Sequence, residues 1–286
     1  MPSLIDIRRR IRSVKNTQQI TKAMKMVSAA KLRRAQDRVI AARPYASMMR
    51  TVLANVAAAA AGDEDADGNP LLAQRTPRKI LLVLITGDKG LAGAFNSNLI
   101  KGAQRFIEEQ AAVAATLVLV GRKGRDFFRK RSLPIAGEYT NLAAQVKHED
   151  TAVIARAAMD MFRDGETDAV YLLYNEFKSA VSQKLTLTRI LPVAPPAHDG
   201  PVNYIFEQPP AEILNSLLPR YVEMEFYRAL LESTAAEHAA RMTAMEAATS
   251  NASDMIDKLT LYLNRVRQAS ITKEIIEVVS GAAAAE

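Results

Sequence analysis

Two long segments that lack glycine, one at each end of the chain, constrain its fold more than any other feature. From Leu4 to about Ala61 the composition favours helix, with Pro44 as the one proline. A second helix is expected from Pro209 and Pro210 to about Ser280. At 1.5 Å per residue these helices would span on the order of 85 Å and 90 to 100 Å. A single globular domain of this size could not bury them.

Apolar residues recur every 3.5 positions in both segments. Counted from Leu4 to Ala60, 13 of 17 positions are apolar, and counted from Leu214 to Ser270 the result is again 13 of 17. This period is typical of a coiled-coil seam. We therefore expect the two helices to pair as an antiparallel coiled coil. The longer C-terminal helix should project beyond its partner and be sheltered there by another chain.

Three local irregularities are predicted within the helices. The four polar seam positions of the first segment are consecutive, from Gln18 to Ser28, while Ile20 and Val27, with Met24, carry the apolar stripe in a shifted phase. This pattern predicts a stutter. Pro44 should kink the first helix or interrupt its hydrogen bonds, and Pro219 should mark a break or the first turn of the second long helix.

Between the long helices, short aliphatic runs alternate with helical segments, which predicts an α/β unit with a mainly parallel sheet. Strands are expected at 80–86, 117–121, 170–174 and 184–190, and helices at 94–112, 122–131 and 147–163. The predicted fold class is α/β, a long antiparallel coiled coil of terminal helices with an inserted Rossmann-like domain. The predicted domains are 1–61, 75–206 and 209–286.

Positive charge is concentrated in the first helix. Residues 1–60 hold 13 basic side chains against Asp6 and Asp37, a balance of +11 in a chain whose net charge is +7. A partner should therefore meet this segment. Nucleic acid is one candidate partner, although the segment has only one aromatic residue, Tyr45, for base stacking. An acidic protein surface needs no aromatic residues, and a solvated face remains a third reading.

Several classes of chemistry are excluded or disfavoured. The chain has no cysteine, which rules out disulfides and thiol catalysis and fits a reducing compartment. His148, His198 and His238 lack the spacing of a metal site. Acidic residues at 63–67 resemble half of a calcium loop, with Gly68 at the sixth place, but Gln74 stands where the loop needs its last glutamate. We see no membrane-spanning stretch and no signal peptide, so we expect a soluble chain that stays where it is made.

A glycine-rich turn at 86–93 follows a predicted strand and opens a predicted helix. Its spacing matches neither the dinucleotide fingerprint nor the phosphate-binding loop. We interpret it as a structural turn, and we predict no cofactor, no metal and no catalytic residue. The C-terminal tail, 271–285, is apolar and rich in small residues, which indicates a binding surface that a surrounding sleeve could hold.

These motifs resemble the gamma subunits of F-type ATP synthases of the bacterial type. The segment Ile7-Arg8-Arg9-Arg10-Ile11, continued from Ser13 to Val27, resembles the opening of that family. The tail matches the family's C-terminal signature at Ile271, Thr272, Glu274, Glu277, Gly281 and Ala282. The glycine turn followed by Ala94-Phe95-Asn96 is similar to the family's middle segment, with Ala92 where many relatives have cysteine. The resemblance covers essentially the whole chain.

The resemblance implies a non-catalytic rotor shaft inside a hexamer of alternating alpha and beta subunits. The shaft would transmit torque from the ion-driven c ring to the beta subunits for ATP synthesis. It also implies contacts with the epsilon subunit and a peripheral position on the cytoplasmic face of the bacterial inner membrane, in a complex that transports hydrogen ions. Nucleic acid would then not be a partner. A basic coiled-coil protein that binds nucleic acid remains the alternative.

The resemblance also implies roles for individual residues. Contacts with the beta subunits are implied for Lys22, Met24, Lys25, Arg241, Gln268 and Thr272. The C-terminal bearing would include Ile271, Glu274, Glu277, Gly281 and Ala282. A foot that touches the c ring and epsilon would include Tyr204, Phe206 and Glu207.

Overall fold

A computed structural model describes residues 3–63, 68–195 and 205–283. The helices are α1 (Leu4–Ala59), α2 (Phe95–Glu109), α3 (Arg122–Phe128), α4 (His148–Arg163) and α5 (Pro210–Ala283). The strands are β1 (Lys79–Ile85), β2 (Ala114–Val120), β3 (Ile135–Tyr139), β4 (Ala169–Phe177) and β5 (Gln183–Leu191). Short 3-10 helices lie at Pro70–Leu72 and Leu142–Ala144. The α/β fold class is confirmed.

The five strands form one sheet in the order β3-β2-β1-β4-β5. The first three neighbouring pairs are parallel and β4 with β5 is antiparallel, so the prediction of a mainly parallel sheet is confirmed. All of β1 except Lys79 is buried, as expected for a central strand covered on both faces. Strand β3 was not predicted, because its edge position leaves it only half-buried and its sequence lacks an aliphatic run.

The described residues divide into two compact units. Unit 1 comprises residues 1–28 and 242–286, and unit 2 comprises residues 29–241. The sheet and α2 to α4 lie in unit 2, and each unit contains part of α1 and part of α5. The predicted division into 1–61, 75–206 and 209–286 stays a prediction.

Within each unit, α1 and α5 pair in antiparallel directions. In unit 1, the hydroxyls of Thr21 and Thr249 share a 2.7 Å hydrogen bond, and Lys25 Nζ lies 2.6 Å from Glu246 Oε1. In unit 2, Arg43 pairs with Glu232 at 3.6 Å and Arg50 pairs with Glu225 at 3.8 Å. In both units an increase in residue number along α1 accompanies a decrease along α5. The antiparallel pairing is therefore confirmed within each unit.

The apolar repeat marks the buried faces of both helices correctly, but the predicted stutter is wrong. Every position of the two repeats is buried or half-buried. Thr21 and Ser28 are buried in the unshifted seam, whereas Ile20 and Val27 are 60% and 56% exposed. Thr21 can be buried there because its hydroxyl bonds both Thr249 and the Gln18 carbonyl oxygen.

The helix assignment continues through both prolines. Pro44 lies inside α1 with its side chain exposed, and Pro219 lies inside α5, which begins at Pro210. The prediction that Pro219 breaks or begins the long helix is therefore wrong. A proline removes one backbone hydrogen bond, but the buried side chains on either side, Leu218 and Val222, hold α5 in place through packing.

Candidate functional site

The glycine-rich turn lies at the carboxyl end of β1, and its polar groups are engaged within unit 2. The Gly87 N–H donates to Asn96 Oδ1 at 2.8 Å, and the Thr86 hydroxyl accepts the Gly124 N–H at 2.9 Å and donates to the Val120 carbonyl at 3.0 Å. A side chain on Gly121, whose φ is +93°, would lie 2.1 Å from the Thr86 carbonyl oxygen. The turn therefore ties β1 to β2 and α3, as a structural element does.

A charged cluster on α5 packs against this turn. The Arg241 guanidinium is 9% exposed, pairs with the Glu237 carboxylate and donates to the Gly90 carbonyl oxygen at 3.4 Å. A Cβ on Gly87 would approach the Glu237 carboxyl carbon to 2.8 Å, so the turn fits closely over this carboxylate. Arg241, which the resemblance assigns to a beta contact, is thus held by groups of its own chain.

Burial is the main cause of the pKa shifts in this cluster. It raises the pKa of Glu237, although the Arg241 hydrogen bond acts in the opposite direction. It also lowers the pKa of His238 to about 4, with further lowering by Arg241 and Lys31. His238 is therefore neutral at pH 7.

Three further buried carboxylates on α5 were not predicted from the sequence. Glu223 pairs with Arg156 at 2.7 Å, and Glu225 pairs with Arg228 at 2.6 Å as well as with Arg50. Glu232 accepts the Phe177 backbone N–H at 3.1 Å. These glutamates lie off the 3.5-residue repeat, which marks only apolar burial. The sequence signal that could have indicated these ion pairs is the acidic character of this part of α5, which was expected to pair with the strongly basic α1.

The predicted beta-contact residues of α1 lie in unit 1 on adjacent turns. Lys22 is exposed, Met24 is half-buried, and Lys25, whose side chain is 38% exposed, forms its ion pair with Glu246. Of the 13 basic side chains before residue 60, Lys25, Arg43 and Arg50 pair with α5. The other ten form no ion pair with any residue that the structure describes.

The predicted bearing residues lie at the exposed end of α5. All side chains from Ile271 to Ser280 are exposed, with Val278 at 71%. In the register set by Thr21 and Thr249, Ser3 is level with about residue 267, so α5 extends beyond α1 within unit 1. The predicted projection is confirmed.

The polar residues of this end contact their own helix. Gln268 is exposed, and its carbonyl oxygen accepts the Thr272 hydroxyl at 2.9 Å. Glu274 accepts the Ser270 hydroxyl at 3.2 Å, and Glu277 pairs with Lys273 at 3.5 Å. Gly281 and Ala282 belong to α5, and their side-chain surroundings lie outside the described part.

The predicted foot residues precede α5 in unit 2. Phe206 is half-buried and Glu207 is exposed, and Tyr204 lies outside the described residues. The structure therefore brings the predicted residues together as separate groups, which are the α1 patch and the α5 end in unit 1, and Arg241 and the foot in unit 2.

The described residues contain neither a metal site nor a membrane-spanning helix. Among them, no group of three or more His, Cys, Asp or Glu side chains could hold a metal ion. No described helix is both long and apolar enough to cross a membrane. His148 stacks edge-on against Tyr227 with ring centroids 5.6 Å apart, and His198 lies outside the described residues.

Sequence comparison decides the family. A family model described as "ATP synthase" matches residues 3–285. The ATP synthase gamma chain of Solibacter usitatus is 74% identical over 286 residues and covers all of both chains. The chain belongs to the ATP synthase gamma-chain family. The gamma chain of Pelotomaculum thermopropionicum is 52% identical over 289 residues, also covering all of both chains.

Solved structures agree with this family. The central stalk and c-ring structure of Tetrahymena thermophila mitochondrial ATP synthase contains a chain that is 28% identical, with a TM-score of 0.60. The match covers 80% of this chain and 99% of that chain. A chain of the Euglena gracilis mitochondrial ATP synthase matches with a TM-score of 0.66 over 98% of this chain and 94% of its own length. At 21% identity the Euglena match shows the fold alone.

Proposed function

We propose that this chain is the central rotor shaft of an F-type ATP synthase. It is a non-catalytic gamma subunit that transmits torque from the ion-driven c ring to the catalytic beta subunits. Membership in the gamma-chain family supports this role. The structural observation that carries it is the apolar surface that the helix pair of unit 1 leaves uncovered.

That surface lies outside the seam between the helices. On α1, Ile5, Ile20, Met26 and Val27 are between 56% and 68% exposed, and on α5 Leu261 is 62% exposed. Large apolar side chains left exposed in this way are suited to contact with another molecule. A hexamer of alternating alpha and beta subunits that surrounds the helices would cover it.

The exposed end of α5 extends the same argument. Ile275, Ile276, Val278 and Val279 are each at least 57% exposed, and no other helix among the described residues of unit 1 faces them. An apolar sleeve formed by the hexamer would cover these side chains through nonspecific apolar contacts. We assign this bearing role to Ile271, Glu274, Glu277, Gly281 and Ala282 as well.

Charge favours a second contact near Met24. Lys22 is exposed and unpaired with any described carboxylate, and it stands two residues from Met24. We propose that Lys22, Met24 and Lys25 face an acidic loop of beta. Gln268 and Thr272 would make polar contacts with beta nearer the C-terminal end of α5. Arg241 would support the shaft from within unit 2, and Tyr204, Phe206 and Glu207 would form the foot on epsilon and the c ring.

The mechanism is a population shift in the surrounding subunits. A shaft can change the state of a beta subunit only if it contacts that state differently from the others. The two helices present different side chains, so each orientation of the pair offers each beta subunit a different surface. Rotation would then lead each catalytic site in turn through binding, synthesis and release of nucleotide.

We further propose that the chain is peripheral to the cytoplasmic face of a bacterial inner membrane and serves hydrogen ion transport through its complex. Binding to the c ring would supply the membrane attachment, since no described helix can cross a bilayer. Proton and sodium gradients applied to the assembled complex would distinguish H⁺ from Na⁺ as the coupling ion.

Purification with subunit stoichiometry tests the proposal. The tagged full-length chain, expressed with the alpha and beta subunits of its own organism, should copurify with an intact hexamer in fixed ratio. DNA binding that falls steeply with salt, without any hexamer, would instead support the nucleic-acid alternative. Binding of nucleic acid would leave the exposed aliphatic side chains of unit 1 unexplained.

A further inference from the structure

A cavity of about 260 Å³ lies within unit 2, and six of its fifteen lining residues are lysine or arginine. Its basic residues are Lys31, Arg34, Arg38, Lys89, Arg122 and Arg241, and its only acidic residue is Asp88. Of these residues only Arg241 also takes part in the rotor function described above.

Its walls are set by the fold of unit 2. Lys31, Arg34 and Arg38 are spaced by three and four residues, so they share one face of α1. Lys89 and Arg122 follow the carboxyl ends of β1 and β2. In open α/β sheets this edge is where ligands bind.

Most of these cations are uncompensated. Glu237 offsets the charge of Arg241, and the Asp88 carboxylate accepts the Arg122 backbone N–H at 3.1 Å. Within the part of the chain that the structure describes, Lys31, Arg34, Arg38, Lys89 and Arg122 form no ion pair. These five side chains are exposed, so solvent screens part of their mutual repulsion, and a bound anion would relieve the rest.

Two of the arginines are held in position before any ligand arrives. The Arg122 guanidinium donates to Asn141 Oδ1, and Arg241 is fixed by Glu237 and by the Gly90 carbonyl. Donors held in this way lose little conformational freedom on binding. A diffuse solvated face would lack such restraints.

We propose that this cavity binds a small anion carrying one or two phosphoryl groups. Arginine forks match the oxygen geometry of phosphate, and four of the six cations are arginines. The volume is slightly below the roughly 300 to 1,000 Å³ usual for small-molecule sites, which fits a diphosphate better than a large ligand. Leu231 and Val146 also line the cavity, so an organic group attached to the phosphate has an apolar surface to contact. This site goes beyond the rotor function and does not depend on it.

Equilibrium dialysis of the full-length chain with radiolabelled pyrophosphate tests the proposal. We expect saturable binding of about one pyrophosphate per chain, and a rise in the thermal midpoint of the chain when it binds. Arg34→Gln should weaken binding by about tenfold, because it removes a charged hydrogen-bond donor. Arg105→Gln is the matched control, since Arg105 is an exposed arginine on α2 that does not line the cavity.

Further measurements keep the proposal falsifiable. If Arg34→Gln does not fold, Lys89→Gln replaces it, because Lys89 is an exposed loop residue. Separate dialyses with inorganic phosphate and with ADP distinguish a bare phosphate from a nucleotide, and tight binding of either supports the site. Equal loss of binding in Arg105→Gln, or equal competition by chloride at the same ionic strength, would overturn it. Tighter binding of an acidic peptide than of pyrophosphate would overturn it too, in favour of a protein partner.

Discussion

Glu232 offers a test of what holds α5 against the sheet within unit 2. Its carboxylate, whose side chain is 4% exposed, accepts the Phe177 N–H at the end of β4 at 3.1 Å. It also lies 3.6 Å from the Arg43 guanidinium, whose side chain is 58% exposed. The two contacts differ in burial, so they should differ in their contributions to stability.

The magnitudes follow from that difference. Glu232→Ala removes a charge-assisted hydrogen bond and leaves a buried N–H without its acceptor, which together cost about 3 kcal/mol. Glu232→Gln retains an acceptor and should cost about 1 kcal/mol. Arg43→Gln breaks a largely exposed ion pair and should cost less than about 1 kcal/mol. The expected order of destabilisation is therefore Glu232→Ala, then Glu232→Gln, then Arg43→Gln.

Urea unfolding of the full-length chain and hydrogen exchange at the Phe177 amide measure these effects. A loss of about 3 kcal/mol corresponds to exchange roughly a hundredfold faster at that amide in Glu232→Ala. Arg43→Gln should leave the amide nearly as protected as in the unmodified chain. If Arg43→Gln destabilises the chain as much as Glu232→Ala, the ion pair and not the buried N–H is the main contact, and the reasoning is refuted.

Four further predictions follow from single residues. Gly121→Ala should lower the free energy of unfolding by about 3 kcal/mol or more in urea titration, because the φ of Gly121 is +93° and the new Cβ would meet the Thr86 carbonyl. Gly165 also has a positive φ but lies in open space, so Gly165→Ala should cost only about 1 kcal/mol. Val27→Ser should leave the stability of the free chain unchanged but weaken copurification with the alpha and beta hexamer, since Val27 is 56% exposed; equal losses in both measurements would contradict this. Met24→Lys should lower the ratio of ion pumping to ATP hydrolysis more than it lowers assembly, because it adds a cation beside Lys22 and Lys25, and an unchanged ratio would count against the proposed contact. The pKa of His238 lies at about 4, below its usual 6.5, so the neutral form stabilises the fold above pH 6.5 and up to about 3 kcal/mol of stability is lost as pH falls toward 4. His238→Gln should reduce this loss when the free energy of unfolding is measured from pH 7.5 to 5. A pH dependence equal to that of the unmodified chain would show that another group is responsible.

The long helices were predictable because their signal is repeated many times. A run without glycine and a 3.5-residue apolar period each extend over tens of residues, so a single exception such as Pro219 does not outweigh them. The seam positions, from Leu4 to Ala60 and from Leu214 to Ser270, are buried or half-buried without exception. The strands were predicted where the aliphatic runs are continuous, and β3 was missed because an edge strand does not need one.

The errors arose where polar side chains are buried. Hydropathy assigned Thr21 and Ser28 to the surface and Ile20 and Val27 to the seam, and the structure has the reverse. A hydroxyl can enter a seam when a partner across the helix pair satisfies it, as Thr249 does for Thr21, but that partner is 228 residues away in the sequence. The buried glutamates of α5 were missed for the same reason. Burial of a polar group depends on a distant partner, which a local pattern does not contain.

The burial of Thr21 in the seam, in place of Ile20, also bears on function. Had Ile20 and Val27 been buried, the helix pair of unit 1 would expose fewer aliphatic side chains beside its cations. Instead the hydroxyl pair occupies the interior and the aliphatic side chains face outward, beside cations from Arg8 to Lys22 that have no partner among the described residues. The exposed apolar side chains gain from leaving water, and the unpaired cations gain from facing acidic groups, so the surface fits a protein enclosure with acidic and apolar patches. The outward position of Ile20 and Val27 therefore favours a shaft enclosed by other subunits over a coiled coil that stands alone.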